Sequence, residues 1–163
     1  MKRGQRFEDN FRNSIDRESK DLFFYRFKDG TANWNPNEKT RFQAHNICDC
    51  MIFYKHKLFL FELKSHKGKS LPFNCIRNSQ YDEMCFAGTK ENVFPFLITF
   101  FSDIGECYAI HIREIYALRT FSNRKSIPLS YFIEKAYQIE IKYIPRLDYI
   151  KIIEKFGGFY NET

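Results

Sequence analysis

The chain has 163 residues, of which 44% are hydrophobic and 28% are charged, a globular composition with enough apolar material for one core. No apolar run reaches the roughly 20 residues that a membrane-spanning helix needs, so a membrane protein is not expected. The formal net charge of +6 has the sign that an anionic partner such as a nucleic acid requires. These values predict a single domain over residues 1–163.

The N-terminus and the cysteines indicate a cytoplasmic protein. Met1, Lys2 and Arg3 are not followed by the apolar stretch of a secretory signal peptide. The cysteines are odd in number and form no CxxC pair, which argues against a disulfide framework and against a zinc site. They are Cys48, Cys50, Cys75, Cys85 and Cys107. We expect reduced thiols, most of them buried.

The start of the chain shows a helical pattern followed by a strand pattern. In residues 5–19, Phe7, Phe11 and Ile15 lie four positions apart, which is the spacing of one helix face. Residues 22–27 form a short aromatic run that ends at an Asp-Gly turn signal. The pattern therefore predicts a first helix and a first strand.

Residues 29–45 are predicted to form a long loop or a protruding hairpin. The segment is polar and has no sustained period, and loops this long inside compact domains are usually functional or disordered. Trp34 and Phe42 supply rings that can stack on unpaired bases, and Lys39 and Arg41 supply phosphate contacts. The segment is thus a candidate for binding DNA.

The rest of the chain alternates between apolar runs and helical periodicity. Residues 47–54 and 58–63 are apolar runs joined by a short polar link, which is the pattern of a β-hairpin. The later predictions are a helix at 73–87, strands at 93–101 and 105–112, helices near 113–120 and 128–135, a strand near 137–142, and a helix from Asp148. This order predicts an α/β fold with a mixed central sheet flanked by helices.

The hairpin carries a carboxylate on one strand and a Glu-x-Lys sequence on the next. Successive side chains of a strand point to opposite faces, so Glu62 and Lys64 project together, and a tight hairpin can bring Asp49 to the same side. Paired carboxylates repel each other unless a cation joins them, and hard oxygen ligands favour Mg²⁺ or Mn²⁺. Such an ion would activate water and neutralise charge on a scissile phosphate, with Lys64 beside it.

The three residues alone also fit a plain structural interpretation. Asp49 is then a turn residue at the end of a buried strand, and Glu62 and Lys64 form an ordinary solvated ion pair. Because the D-x12-E-x-K spacing is degenerate, further motifs are needed to choose between the two interpretations.

Four motifs in order resemble the RecU family of Holliday junction resolvases, which are PD-(D/E)xK nucleases. They are the opening RGQRFED, the D-x12-E-x-K spacing, the stretch SLPFNCIRNSQ after the lysine, and RKS followed by YIPRLDYIKIIEK. The resemblance implies a restriction-endonuclease-like core with a protruding stalk at residues 29–45. It also implies a homodimeric, Mg²⁺-dependent DNA endonuclease that acts on four-way junctions.

The resemblance also implies roles for individual residues. Asp49 and Glu62 would be metal ligands, the Leu63 carbonyl a third ligand, and Lys64 the catalytic lysine. Glu8 matches a glutamate of the first helix that turns towards the metal, and Gln80 matches a glutamine that reaches the site from the next helix. The alternative for Glu8 is a solvated first-turn acid favoured by the helix dipole, and for Gln80 a helix-surface residue.

Other basic residues are candidates for contact with DNA. Arg3 and Lys2 stand where relatives carry a longer basic extension, and Lys67 and Lys69 flank Gly68 beside the predicted cleft. A basic turn that contacts nothing is the alternative for these two lysines. Two other functions remain open, namely another PD-(D/E)xK endonuclease of the restriction or repair type, and a non-catalytic DNA-binding module whose carboxylates are structural.

Overall fold

A mixed β-sheet forms the centre of the computed structural model, which describes residues 7–11, 13, 22–27, 45–141 and 153–155. The strands are β1 (Phe23–Arg26), β2 (Cys50–Tyr54), β3 (Lys57–His66), β4 (Ser70–Pro72), β5 (Val93–Phe101), β6 (Glu106–His111), β7 (Ser126–Pro128) and β8 (Tyr137–Ile139). Within these ranges the main sheet has six strands in the order β1-β2-β3-β5-β6-β8, and β4 pairs with β7 apart from it. Only β3 and β5 are parallel neighbours in that sheet.

Helices cover both faces of the sheet. They are α1 (residues 7–11 and 13), α2 (Asn78–Ala87), α3 (Ile112–Phe121), α4 (Leu129–Lys135) and α5 (residues 153–155). The predicted α/β class with a mixed, helix-flanked sheet is therefore confirmed. Across the described ranges, no helix is long and apolar enough to cross a membrane.

Strand β3 has buried side chains on both faces of the sheet, as expected for a central strand. It pairs antiparallel with β2 and parallel with β5, and the parallel connection has room for α2 in the crossover. Phe59, Phe61 and Leu63 contribute to the face that packs on α1, while Leu60 contributes to the face under α2, α3 and α4. Full burial of each such side chain contributes roughly 1.5–3 kcal/mol.

A two-residue turn joins β2 to β3 and sets their register. Lys55 and His56 have φ values of 45° and 65°, and Tyr54 pairs with Lys57 on either side of them. Two consecutive positive φ values give the turn whose twist matches that of the flanking strands. The register that follows pairs Cys50 with Phe61 at the other end of β2, next to the residues that carry the candidate site.

The predicted helix at 73–87 is wrong in its first part. Residues Phe73–Cys75 form a single 3-10 turn, Ile76 and Arg77 are extended, and the α-helix begins only at Asn78. The cause is β4, whose fully buried Leu71 pairs with Ile127 of β7 and holds the preceding chain extended. Strands of three residues carry too little pattern to be predicted from the sequence.

Most other predicted elements agree with the structure where it describes them. The strand near residues 22–27 is β1, and the strands at 93–101 and 105–112 are β5 and β6. Residues 47–49 form bends, so β2 is shorter than the predicted run. Residues 29–44 of the predicted stalk and residues 148–152 of the predicted last helix lie outside the described residues.

Candidate active site

Asp49 is held in place by the backbone at the point where β2 begins. Its N–H donates to the Phe61 carbonyl at 3.1 Å, and its own carbonyl accepts from the Phe27 N–H at 3.0 Å. The Leu63 N–H donates to Asp49 Oδ2 at 2.7 Å. The carboxylate is therefore fixed against β3, beside the Glu62–Lys64 segment.

Glu62 is the buried carboxylate of the site, with a side chain that is only 1% exposed. Its Oε1 accepts from the Lys64 ammonium, and its Oε2 accepts from Gln80 Nε2 at 2.7 Å. Gln80 is buried near the start of α2, so this contact joins the helix to the central strand. Both carboxylate oxygens of Glu62 are thus oriented by neighbouring side chains.

Burial and charge together raise the pKa of Glu62 to about 7. Loss of solvation is the largest cause, repulsion from the Asp49 carboxylate is the next, and the Lys64 cation opposes both. Glu62 is therefore a poorly solvated carboxylate next to a second carboxylate, and the Lys64 cation does not offset both effects on its pKa. A divalent cation at this place would offset them.

The donor set fits a hard metal ion. The Leu63 N–H points towards the start of β2, where it donates to Asp49. Because the N–H and C=O of one strand residue point to the same side, the Leu63 carbonyl also points in this direction. Strand β2 begins only at Cys50, opposite Phe61, so this carbonyl lies beyond the paired part of β2. Two carboxylates and a carbonyl are oxygen ligands of the kind that Mg²⁺ and Mn²⁺ take, with water or phosphate completing the shell.

The side chains of the candidate site come from three places in the chain: Asp49 just before β2, Glu62 and Lys64 on β3, and Gln80 on α2. Within the described ranges, no group of three or more His, Cys, Asp or Glu side chains is arranged to hold a metal. A site built here would thus depend on Asp49, Glu62 and backbone oxygen, with the remaining positions open to water and substrate.

Glu8 is placed differently from the other predicted site residues. Helix α1 packs on the sheet face formed by Phe59 and Phe61, whereas Glu62 projects to the opposite face. The Glu8 carboxylate accepts a hydrogen bond from Arg26 of β1, and the same guanidinium lies 3.7 Å from Asp9. The structure thus brings Gln80 to the Glu62 carboxylate and holds Glu8 in an ion pair with Arg26.

The candidate DNA-binding residues fall into two groups. Lys67 and Lys69 are exposed on the turn between β3 and β4, where Gly68 has a φ of 86° and its N–H donates to Asp103 at 3.0 Å. This turn follows directly on Lys64 along β3. The others lie outside the described residues, and they are Arg3, Trp34, Lys39, Arg41 and Phe42.

Sequence reasoning did not identify two residues that lie next to predicted site residues. Arg26 is the partner of Glu8, and the only signal for it is that it is the one cation in an aromatic run. Thr99 of β5 is in register with Lys64, and it is the one polar residue of the strand Val93–Phe101. Each stands out only because its neighbours in sequence are apolar.

If Glu62 is a metal ligand, its raised pKa makes the affinity for the metal depend on pH. Lowering the pH from 8 to 6 should weaken Mn²⁺ binding roughly tenfold, because below its pKa of about 7 Glu62 holds a proton that the ion must displace. Isothermal titration calorimetry at the two pH values measures the change. Equal affinities at pH 6 and pH 8 would show that Glu62 is not a ligand or that its pKa is not raised.

Comparison with known proteins gives a family match over nearly the whole chain. The family model described as Recombination protein U matches residues 2–155. The SPbeta prophage-derived uncharacterized protein YotM of Bacillus subtilis is 34% identical over 127 residues, which cover 75% of this chain and 62% of that protein. The Holliday junction resolvase RecU of Streptococcus sanguinis is 31% identical over 127 residues, covering 74% and 62%.

A third relative and one solved structure extend the comparison. The Holliday junction resolvase RecU of Staphylococcus aureus strain MRSA252 is 34% identical over 118 residues, covering 70% of this chain and 56% of that protein. The chain thus spans less than two thirds of the length of these relatives. Hjc of Archaeoglobus fulgidus, a Holliday junction resolvase, is similar in structure with a TM-score of 0.50 and 10% identity, over 83% of this chain and 95% of Hjc. That likeness supports the fold.

Proposed function

We propose that this chain, which belongs to the Recombination protein U family, is a metal-dependent DNA endonuclease that resolves four-way (Holliday) junctions. The observation that carries the proposal is the buried Glu62 carboxylate beside Asp49, with Lys64 and Gln80 at its two oxygens. Placing the buried Glu62 carboxylate beside the partly buried Asp49 carboxylate is unfavourable for the fold alone, and paired carboxylates of this kind suit a divalent cation.

Asp49, Glu62 and the Leu63 carbonyl would hold Mg²⁺ or Mn²⁺. When bound, the ion supplies charge neutralisation at the scissile phosphate and activation of water. The Leu63 N–H and the Gln80 amide hold the two carboxylates in fixed orientations, so little reorganisation is needed when the ion arrives. Lys64 contributes a cation next to the place where the phosphate would lie.

Substrate binding is proposed to use the basic residues around this centre. Lys67 and Lys69 extend from the end of β3, so a strand bound at Lys64 would pass beside them. Arg3, Lys39 and Arg41 would add phosphate contacts, and Trp34 and Phe42 would stack on bases opened at the crossover. Residues 29–45 are then the segment that distinguishes a junction from linear duplex.

The proposed active species is a homodimer, because paired nicks on a four-way junction need two equivalent sites and a twofold dimer provides them. An exposed apolar face suits a second copy of the chain. Phe23 and Phe53 are register partners on β1 and β2, and they are 56% and 46% exposed. Leu58, the register partner of Phe53 on β3, lines a groove of about 790 Å³ that is also lined by residues of α2.

The charges around this groove favour a second copy over DNA. Asp82 and Glu83 line the groove together with Lys90, so both signs of charge lie on the same patch. A twofold contact brings the patch against itself, and it can then pair acidic with basic residues. DNA is a poorer fit, because its phosphates would be repelled by the Asp82 and Glu83 carboxylates.

Replacing Phe53 with Glu should therefore shift a dimer towards monomer, since two buried charges would face the partner. Phe121→Glu is the matched control, because Phe121 is 82% exposed at the end of α3. Sedimentation velocity at micromolar concentration is expected to show a dimer for the wild type and for Phe121→Glu. A Phe53→Glu variant that stays dimeric would place the interface elsewhere, and a monomeric wild type would contradict the dimer.

The function is tested by cleavage of a labelled four-way junction and of linear duplex with the same arms, in Mg²⁺ and in EDTA. We expect Mg²⁺-dependent nicks at symmetric positions on two strands of the junction, and much slower cleavage of the duplex. Equal cleavage of both substrates would favour a restriction or repair type of nuclease. Junction binding without any cleavage would favour a non-catalytic DNA-binding module.

A further inference from the structure

Thr99 carries a buried hydroxyl that has no hydrogen-bond partner in the part of the chain that the structure describes. The residue is 0% exposed, and its Oγ1 is one of two such buried side-chain atoms there. The other is the Tyr81 hydroxyl on α2, whose polar neighbour is the Cys85 thiol, a weak hydrogen-bonding group. Buried polar groups are rarely left without a partner in native proteins, so each one requires an explanation.

The position of Thr99 relates it to the candidate site. Thr99 on β5 is in register with Lys64 on β3, and neighbouring strands lie about 4.8 Å apart. Leu97 and Phe101, two positions away on either side, belong to the core under α2, α3 and α4. Thr99 therefore projects to the same sheet face as Glu62 and Lys64, next to the lysine.

In the proposed nuclease, Lys64 would need a further hydrogen-bond acceptor once Glu62 binds the metal ion. Its ammonium, on a side chain that is 25% exposed, now donates to Glu62 Oε1. In the proposed nuclease that carboxylate would bind a metal ion, so part of the contact with Lys64 would be lost. An ammonium has three N–H donors, and a partly buried one must direct them to acceptors.

We propose that Thr99 is a positioning residue whose hydroxyl accepts a hydrogen bond from the Lys64 ammonium during cleavage. The inference rests on the proposed function, and it assigns to the family's catalytic lysine a partner on the neighbouring strand. One N–H directed to Thr99 would fix the ammonium and leave the other two for the substrate phosphate and for water. Positioning of this kind raises the rate of cleavage and does not stabilise the metal-free protein.

A comparison with valine separates this role from a structural one. Valine has nearly the same shape as threonine and suits an apolar strand such as Val93–Phe101. It also removes the buried hydroxyl that lacks a partner, so the metal-free fold of Thr99→Val should be as stable as the wild type or more stable. A hydroxyl that only supported the fold would give the opposite result.

The test uses Thr99→Val, Thr99→Ser and the matched control Tyr81→Phe in the full chain. We expect Thr99→Val to cleave four-way junctions roughly tenfold more slowly, with unchanged Mn²⁺ affinity and an unfolding midpoint at or above that of the wild type. Thr99→Ser should recover most of the rate, because it keeps the hydroxyl. Tyr81→Phe removes the other buried hydroxyl and should cleave at the wild-type rate.

Several results would overturn the inference. They are a Thr99→Val variant that cleaves at the wild-type rate, one that unfolds at a lower midpoint, and a Thr99→Ser variant that cleaves as slowly as Thr99→Val. In each of these cases the wild type still cleaves, so the proposed function stands. A wild-type chain that does not cleave the junction in Mg²⁺ would overturn the proposed function and this inference together.

Discussion

Replacing Asp49 with Asn should abolish junction cleavage and leave junction binding nearly intact. The Asn oxygen can still accept the Leu63 N–H, so the local fold is kept, but the negative charge that would hold the metal is lost. Loss of metal-assisted charge neutralisation should slow cleavage by at least about 10²–10³-fold. Phosphate contacts from basic residues dominate DNA affinity, and removing a carboxylate also removes repulsion of the DNA backbone.

Single-turnover cleavage and gel-shift titration of the same four-way junction measure the two effects. Asp103→Asn is the matched control, because Asp103 makes a comparable contact with a backbone N–H, that of Gly68, at an exposed turn. Glu62→Gln should behave as Asp49→Asn does. An Asp49→Asn variant that retains Mg²⁺-dependent nicking would contradict the assignment of the active site.

Replacing Lys64 with Ala should also abolish cleavage, while metal binding is kept. The ammonium is not a ligand, and its removal frees Glu62 Oε1 from a competing contact. A cation that stabilises the phosphate or transfers a proton contributes typically 10²–10⁴-fold to a rate, so a loss of that size is expected. Mn²⁺ affinity is best measured at pH 8, because losing the cation raises the pKa of Glu62 further.

The control for Lys64 is Lys135→Ala, which removes a lysine on the surface of α4 that forms an ion pair with the adjacent Glu134. It should leave both cleavage and metal affinity unchanged. Loss of Mn²⁺ binding together with activity in Lys64→Ala would mean that the lysine holds the site together instead of acting on the substrate.

The hairpin shows how much of the site could be predicted from the sequence. The alternation of β3 predicted that Glu62 and Lys64 share a face, and the short link predicted that Asp49 lies beside them; both are seen in the hydrogen bonds. Strand alternation and turn length are local properties, so local sequence is sufficient to determine them. That Gln80 reaches the site was expected from the family resemblance alone, and its contact with Glu62 is seen only in the structure.

Other features depend on packing between distant segments. The spacing of Phe7 and Phe11 predicts a helix, yet it does not say which sheet face the helix covers, and this choice places Glu8 against Arg26. The break before α2 depends on the pairing of β4 with β7, more than fifty residues later in the chain. Thr99 belongs to a run that predicts a strand, and its place beside Lys64 follows only from the parallel register.

The central claim is that Asp49 and Glu62 together form a divalent-metal site, and Mn²⁺ titration of matched variants by calorimetry at pH 8 tests it most directly. The wild type and Asp103→Asn should bind the ion with the same saturable affinity. Asp49→Asn and Glu62→Gln should each lose that binding, because each removes one of the two charges that the ion joins. Equal Mn²⁺ binding by all four proteins would contradict the claim.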